Sequence, residues 1–102
     1  MRRSYAARRN LMLAGFKEMG IPCFEPGGAF YTFPYIGDLG MTSKEFAMGL
    51  LEAKSVAAVP GDAFGKSGEG FLRCCYATDI EQLKVALTRI GEYVDEIRKA
   101  GS

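Results

Sequence analysis

The chain has 102 residues, enough for one domain with a single modest core, and its 48% apolar and 25% charged content is globular rather than disordered composition. A net charge of +1 provides no global field to recruit nucleic acid or an anionic membrane. No apolar run approaches the ~20 residues of a membrane span. The absence of histidine, with three cysteines that form no CxxC, argues against a zinc site and a disulfide-stapled secreted domain, and fits a reduced, cytoplasmic setting.

Residues 1–20 read as a helix. Tyr5, Met12, Phe16 and Met19 recur at helical spacing, and Gly20 with Pro22 ends the run. No N-cap residue precedes it, so further chain is expected upstream. Residues 23–36 read as two short strands around the turn Pro26-Gly27-Gly28, the second built on the strand formers Ala29 to Phe33. Pro34 marks a strand edge or end, and Gly37 to Gly40 a loop. Thr42 and Glu45 fit a capping box for a helix through about Lys54, with Phe46, Leu50 and Leu51 as its apolar face.

Ser55 to Val59 reads as a strand ended by Pro60 and Gly61. Residues 60–70 hold four glycines and read as a loop. Phe71 to Ala77 reads as a strand. Thr78 with Glu81 gives a second capping box. Ile80, Leu83, Leu87, Ile90, Val94 and Ile97 then mark one stripe of a final amphipathic helix. The order α-β-β-α-β-β-α predicts an α+β two-layer sandwich, with a small, mainly antiparallel or mixed sheet and helices on one face.

Four features could carry chemistry. Gly65-Lys66-Ser67 resembles the tail of a phosphate-binding loop, but Pro60 stands where the first glycine belongs and a strand follows instead of a helix. Arg73 lies in an otherwise apolar strand. Alternation puts Phe71, Arg73, Cys75 and Ala77 on one face and Leu72, Cys74 and Tyr76 on the other. It is either an edge arginine whose stem covers apolar surface or a fork held on a stiff strand to grip a carboxylate. Arg2, Arg3, Arg8 and Arg9 make the first helix basic, which fits a nucleic-acid surface or a solvated interdomain face. Without histidine as a general base, the serines and cysteines form no self-contained active site.

Three strings occur in order: Glu25-Pro26-Gly27-Gly28-Ala29-Phe30-Tyr31, Val59-Pro60-Gly61-Asp62-Ala63-Phe64-Gly65, and Gly68-Glu69-Gly70-Phe71-Leu72-Arg73-Cys74-Cys75-Tyr76-Ala77. Together they resemble the C-terminal portion of class I/II aminotransferases, the fold-type I pyridoxal-phosphate (PLP) enzymes related to aspartate aminotransferase. The resemblance covers essentially the whole chain. It implies that residues 1–20 are an interdomain-type helix, that residues 21–102 are the C-terminal small domain, and that the large PLP-binding domain is not in this stretch. It also implies that Arg73 binds the substrate α-carboxylate, with Gly28 and Tyr31 near the substrate entrance. PLP belongs to the full-length enzyme and is held there by a lysine, an acidic partner and phosphate anchors upstream. Lys17, Lys44, Lys54, Lys66, Lys84 and Lys99 match none of those contexts, so no cofactor-binding, catalytic or metal residue is assigned here. The implied partners are an amino acid or 2-keto acid, the chain's own large domain and a second copy in a homodimer, with no nucleic acid and no membrane. The chain alone is expected to be inactive. The competing reading is a small nucleic-acid-binding or self-associating module that uses the basic N-terminal helix.

Overall fold

The computed structural model describes residues 2–24, 31–75 and 79–100, with side chains from Ala6 onward except that of Phe64. Helix α1 spans Arg2–Glu18. It ends as the glycine predicts. Gly20 takes φ +74°, its N–H bonds the Lys17 carbonyl, and the Ile21 N–H reaches back to the Phe16 carbonyl at 2.9 Å. That pair of bonds is a Schellman motif, and its usual apolar contact is supplied by Phe16 and Ile21, both buried. Met12 and Phe16 enter the core, while Met19 lies half-buried against it. The side chain of Tyr5 lies outside the described set.

Strand β1 is Cys23–Phe24 and β2 is Tyr31–Pro34. The expected loop after β2 closes as a 3-10 turn at Gly37–Leu39, with Gly40 in the left-handed region. Helix α2, Ser43–Lys54, carries the predicted capping box. The Thr42 hydroxyl accepts the Glu45 N–H at 3.1 Å, and the Glu45 carboxylate accepts the Thr42 N–H at 2.9 Å. Its buried face differs from expectation in one residue. Phe46, Ala47 and Leu50 are inside, whereas Leu51 is 54% exposed. One residue is about 100° of helix rotation, so Leu51 turns off the stripe that holds Leu50.

The expected strand over Ser55 to Val59 is much shorter: β3 is Val59–Pro60. Ser55 is taken by the helix end, at φ 58° with its N–H on the Leu51 carbonyl, so the chain leaves α2 without extended pairing. Pro60 belongs to the strand instead of stopping it. β3 is an edge strand, where a missing donor is tolerated. The glycine-rich stretch folds as two 3-10 turns, Gly61–Phe64 and Lys66–Gly68. Strand β4 is Leu72–Cys75, with Phe71 bridged to Tyr35; Tyr76, Ala77 and the predicted Thr78 cap lie outside the described residues. At the start of helix α3, Ile80–Ala100, Asp79 holds the N-cap position. Its carbonyl accepts the Leu83 N–H and its carboxylate accepts the Glu81 N–H at 3.1 Å.

The four strands pair antiparallel in the order β1-β2-β4-β3. Thr32, Pro34, Leu72 and Cys74 are buried, while Tyr31, Phe33 and Arg73 are half-buried and Cys75 is exposed. The three helices therefore cover one face and leave the other open, which is the α+β two-layer sandwich expected. On the covered side, Leu83, Leu87, Ile90 and Val94 of α3 meet Met12 and Phe16 of α1 and Phe46 and Leu50 of α2. Two glycines set those helix approaches. A Cβ on Gly15 would sit 3.0 Å from the Leu87 methyls, and one on Gly49 would overlap the Tyr93 hydroxyl.

Candidate functional site

Arg73 lies on β4, an inner strand flanked by β2 and β3. It is not the edge arginine that composition allowed. Its Cα pairs with Val59, and on the other side Tyr31 pairs with Cys75. Tyr31 is thus a diagonal neighbour of Arg73 on the open face, within reach of a long side chain. The guanidinium carbon lies 4.4 Å from the Tyr31 ring centroid, a cation–π stack. The structure therefore brings together Arg73 and Tyr31. Gly28, the third expected site residue, lies outside the described residues.

Aromatic side chains extend this open face. Phe24 pairs with Phe33, the Phe24 and Phe71 rings meet edge-on at 5.8 Å, and Tyr35 tilts against Phe71 at 5.0 Å. Half-buried Arg73 thus projects from a stiff, apolar, partly desolvated platform, where a charge-assisted bidentate bond to a carboxylate is stronger than in bulk water. Two surface hollows lie away from the Arg73–Tyr31 pair. One of about 420 Å³ separates α1 from α3 at Gly15, Leu87 and Gly91. Another of about 560 Å³ lies between Val56, Ala57 and Val85, with Cys75 at its rim. Neither is lined by Arg73 or Tyr31; among the described residues the arginine is presented on the open sheet face.

The turn before β4 is anchored by Ser43 and Glu69, to which the sequence alone assigned no part in the site. Ser43, the first residue of α2, is fully buried. Its N–H donates to the Glu69 carboxylate at 2.8 Å, and its hydroxyl accepts the Gly70 N–H at 3.3 Å. The Gly70 carbonyl in turn accepts the Ile36 N–H at 2.7 Å, and the Phe71 carbonyl accepts that of Gly61. Glu69 so places its charge at the positive end of a helix dipole. The available signal was small: an acid between two glycines, just before an apolar strand.

The phosphate-loop resemblance does not become a phosphate site. The N–H groups of Gly65, Gly68 and Glu69 are spent on the carbonyls of Asp62, Gly65 and Lys66. Nor do the lysines fit the cofactor that the resemblance implies. Lys17, Lys44, Lys66, Lys84 and Lys99 are exposed. Lys54 bonds the Glu96 carboxylate at 2.5 Å with Glu92 at 3.9 Å, and the Glu96 hydrogen bond holds its pKa above the usual lysine value. A lysine that joins a carbonyl needs the opposite shift, toward the neutral amine. Among the described residues no group of three or more His, Cys, Asp or Glu could hold a metal ion, and no helix is long and apolar enough to cross a membrane.

Comparison with known proteins converges on one family. The profile described as aminotransferase class I and II matches residues 1–90. The aspartate aminotransferase of Pyrococcus abyssi is 49% identical over 96 residues, 94% of this chain and 25% of its own length. The aromatic-amino-acid aminotransferase 2 of Thermococcus litoralis is 47% identical over the same share of this chain. The crystal structure of an aromatic aminotransferase from Pyrococcus horikoshii superposes with a TM-score of 0.91 at 47% identity, covering 96% of this chain and 26% of that one. The chain thus spans about a quarter of the length of the curated relatives it matches. Because the match runs through the α1 helix, the sheet that carries Arg73 and α3 alike, the chain belongs to the class I and II aminotransferases.

Proposed function

We propose that this chain is the C-terminal portion of a PLP-dependent aminotransferase, and that Arg73 is its clamp for the substrate α-carboxylate. Residues 1–20 are the interdomain-type helix and 21–102 the small domain; the large domain that holds PLP lies outside this stretch. The observation that carries the reading is the placement of Arg73: an inner strand, the open sheet face, and a guanidinium braced on the Tyr31 ring. Every amino acid and 2-keto acid presents an α-carboxylate, so one fixed fork serves both halves of an amino-group exchange. Two parallel hydrogen bonds fix the orientation of the Cα–H as well as the affinity. The charge of arginine does not titrate away at any working pH.

On this reading the chain alone is inactive, since its lysines do not fit the cofactor. The complete enzyme works as a cytoplasmic homodimer. The relatives named above are aspartate and aromatic aminotransferases, so the amino donor is set by residues beyond the common clamp. The alternative use of α1 as a nucleic-acid surface gains no support from Arg8 and Arg9, which are half-buried and engaged within the fold.

The test is Arg73→Leu in the complete enzyme, with Arg73→Lys beside it. Loss of the fork lowers kcat/KM for amino donors on the order of 10²-fold or more, and lysine, a point charge without the fork, restores only part of it. Unchanged kcat/KM in Arg73→Leu removes the role.

A further inference from the structure

Arg73 is only as well placed as the start of β4, and that start is tied to α2 through Ser43 and the Glu69 carboxylate. Gly70 and Phe71 precede Leu72 directly, and four contacts hold them. The Gly70 N–H donates to Ser43 Oγ, and the Gly70 carbonyl accepts from Ile36. The Phe71 N–H donates to the Gly68 carbonyl, and the Phe71 carbonyl accepts from Gly61. Three of these bonds lie within the sheet edge and its turns. Only the bond through Ser43 ties the turn to α2, and Ser43 is oriented in turn by the Glu69 carboxylate on its N–H at 2.8 Å. Gly70 itself sits at φ +92°, with the Tyr35 ring 2.6 Å from where a Cβ would stand, so this turn has little freedom to adjust.

We infer that Glu69 is a positioning residue for the carboxylate clamp: with Ser43 it latches the entry of β4 to the N-terminus of α2, and thereby sets where the Arg73 guanidinium stands. The charge matters because the first-turn N–H groups of α2 carry the positive end of the helix dipole, and Ser43 N–H is one that the Thr42–Glu45 capping box leaves over. Removing the carboxylate orphans a buried donor and frees the turn by one anchor. The displacement is then transmitted two to four residues along a stiff strand to Arg73. The inference rests on the clamp reading above and adds a residue that touches no substrate.

The test uses the complete enzyme and two amine donors with the same side chain, an amino acid and its analogue lacking the carboxylate. Arg73→Leu serves as the reference, since it must lower kcat/KM for the amino acid and spare the analogue; if it does not discriminate, the clamp reading itself fails. Given that discrimination, Glu69→Ala is expected to act in the same direction. It lowers kcat/KM for the amino acid roughly tenfold, mainly through KM, and leaves the analogue unchanged, because small misplacements of a binding group cost up to about 10²-fold. Glu69→Gln, whose amide oxygen still accepts from Ser43, restores most of the loss. An equal loss for both donors would make Glu69 a general prop of the fold and overturn the inference, as would no loss for either. If Glu69→Ala does not fold, Glu69→Asp decides by the same comparison, since it keeps the charge and withdraws it by one methylene.

Discussion

The Arg73 guanidinium carbon stands 4.4 Å from the centroid of the Tyr31 ring, across the boundary between two antiparallel strands. The ring holds the cation by its quadrupole and limits the rotamers open to a long side chain. Such a stack is worth about 0.5–2 kcal/mol. Tyr31→Leu in the complete enzyme is therefore expected to lower kcat/KM for amino donors roughly 2–30-fold. Tyr31→Phe, which keeps the ring face, stays near wild type. If Phe loses as much as Leu, the phenol oxygen and not the stack is the working part.

Backbone crowding in the glycine-rich turns makes a second, structural prediction. A Cβ on Gly61 would collide with the carbonyl of Gly68, and one on Gly68 with the carbonyl of Gly61, so each is glycine for the other's sake. Backbone cannot swing aside as a flexible side chain can. Gly61→Ala and Gly68→Ala should each lower the urea midpoint by the equivalent of about 1–3 kcal/mol or more. Gly40 is a useful contrast. It has a positive φ of +80° but nothing within 4 Å of a Cβ, so Gly40→Ala carries only the backbone strain of about 1–2 kcal/mol. Equal midpoints for wild type and the Gly61 and Gly68 variants would rule out the crossing.

The helices and the layer order were legible because their signals are local. Gly20 at a helix end, the Thr42–Glu45 box and the stripe from Leu83 to Val94 each specify their own backbone. Thr32, Leu72 and Cys74 likewise show the alternation of a half-buried sheet. What failed was decided by partners. Ser55 to Ala58 looks like strand by composition, yet the end of α2 claims Ser55 and only Val59 and Pro60 find a ladder. Leu51 belongs to the core by type and to solvent by angle. At the candidate site, the motif singled out Arg73 for a proposed role, whereas its place on an inner strand and the Tyr31 stack depend on strand order. The Ser43–Glu69 bond joins residues 26 apart in the chain, a separation at which no local periodicity speaks.

Cys74 gives the fold a pH dependence at the alkaline end. Burial pushes its thiol up to about 12 from an ordinary 9.0, with Cys23 and Cys75 adding to the shift. Below pH 9 the thiol is protonated in both folded and unfolded chains, and its contribution is fully present. Above that the unfolded chain loses a proton that the folded chain keeps, so stability falls with a slope approaching about 1.4 kcal/mol per pH unit until the folded pKa is reached. Tyr93 is raised by burial and then by Glu96 and Glu52, and Lys54 by Glu96; both add loss of the same sign, starting higher. Urea midpoints should therefore drop between pH 9 and pH 10, and Cys74→Ala should flatten that drop while lowering the plateau. A wild-type midpoint constant over this interval would contradict the burial of an un-ionised thiol.

Borohydride trapping of this 102-residue chain with PLP, followed by peptide mapping, asks whether any lysine here behaves as a cofactor anchor. A cofactor lysine is recognised by saturation at one position, because a built pocket concentrates PLP beside a neutral amine. Lysines 17, 44, 66, 84 and 99 are all exposed to water, and exposure alone selects none of them. Labelling should therefore be scattered, spread over all five, and proportional to PLP concentration without a plateau. Lys54 should react least, because its proton is held by Glu96 and becomes harder to remove, not easier. Raising the salt concentration weakens that ion pair and should bring Lys54 closer to the others. A single adduct that saturates, accompanied by turnover of an amino donor, would place a complete cofactor site within these residues and would end the reading of the chain as the carboxylate-binding portion alone.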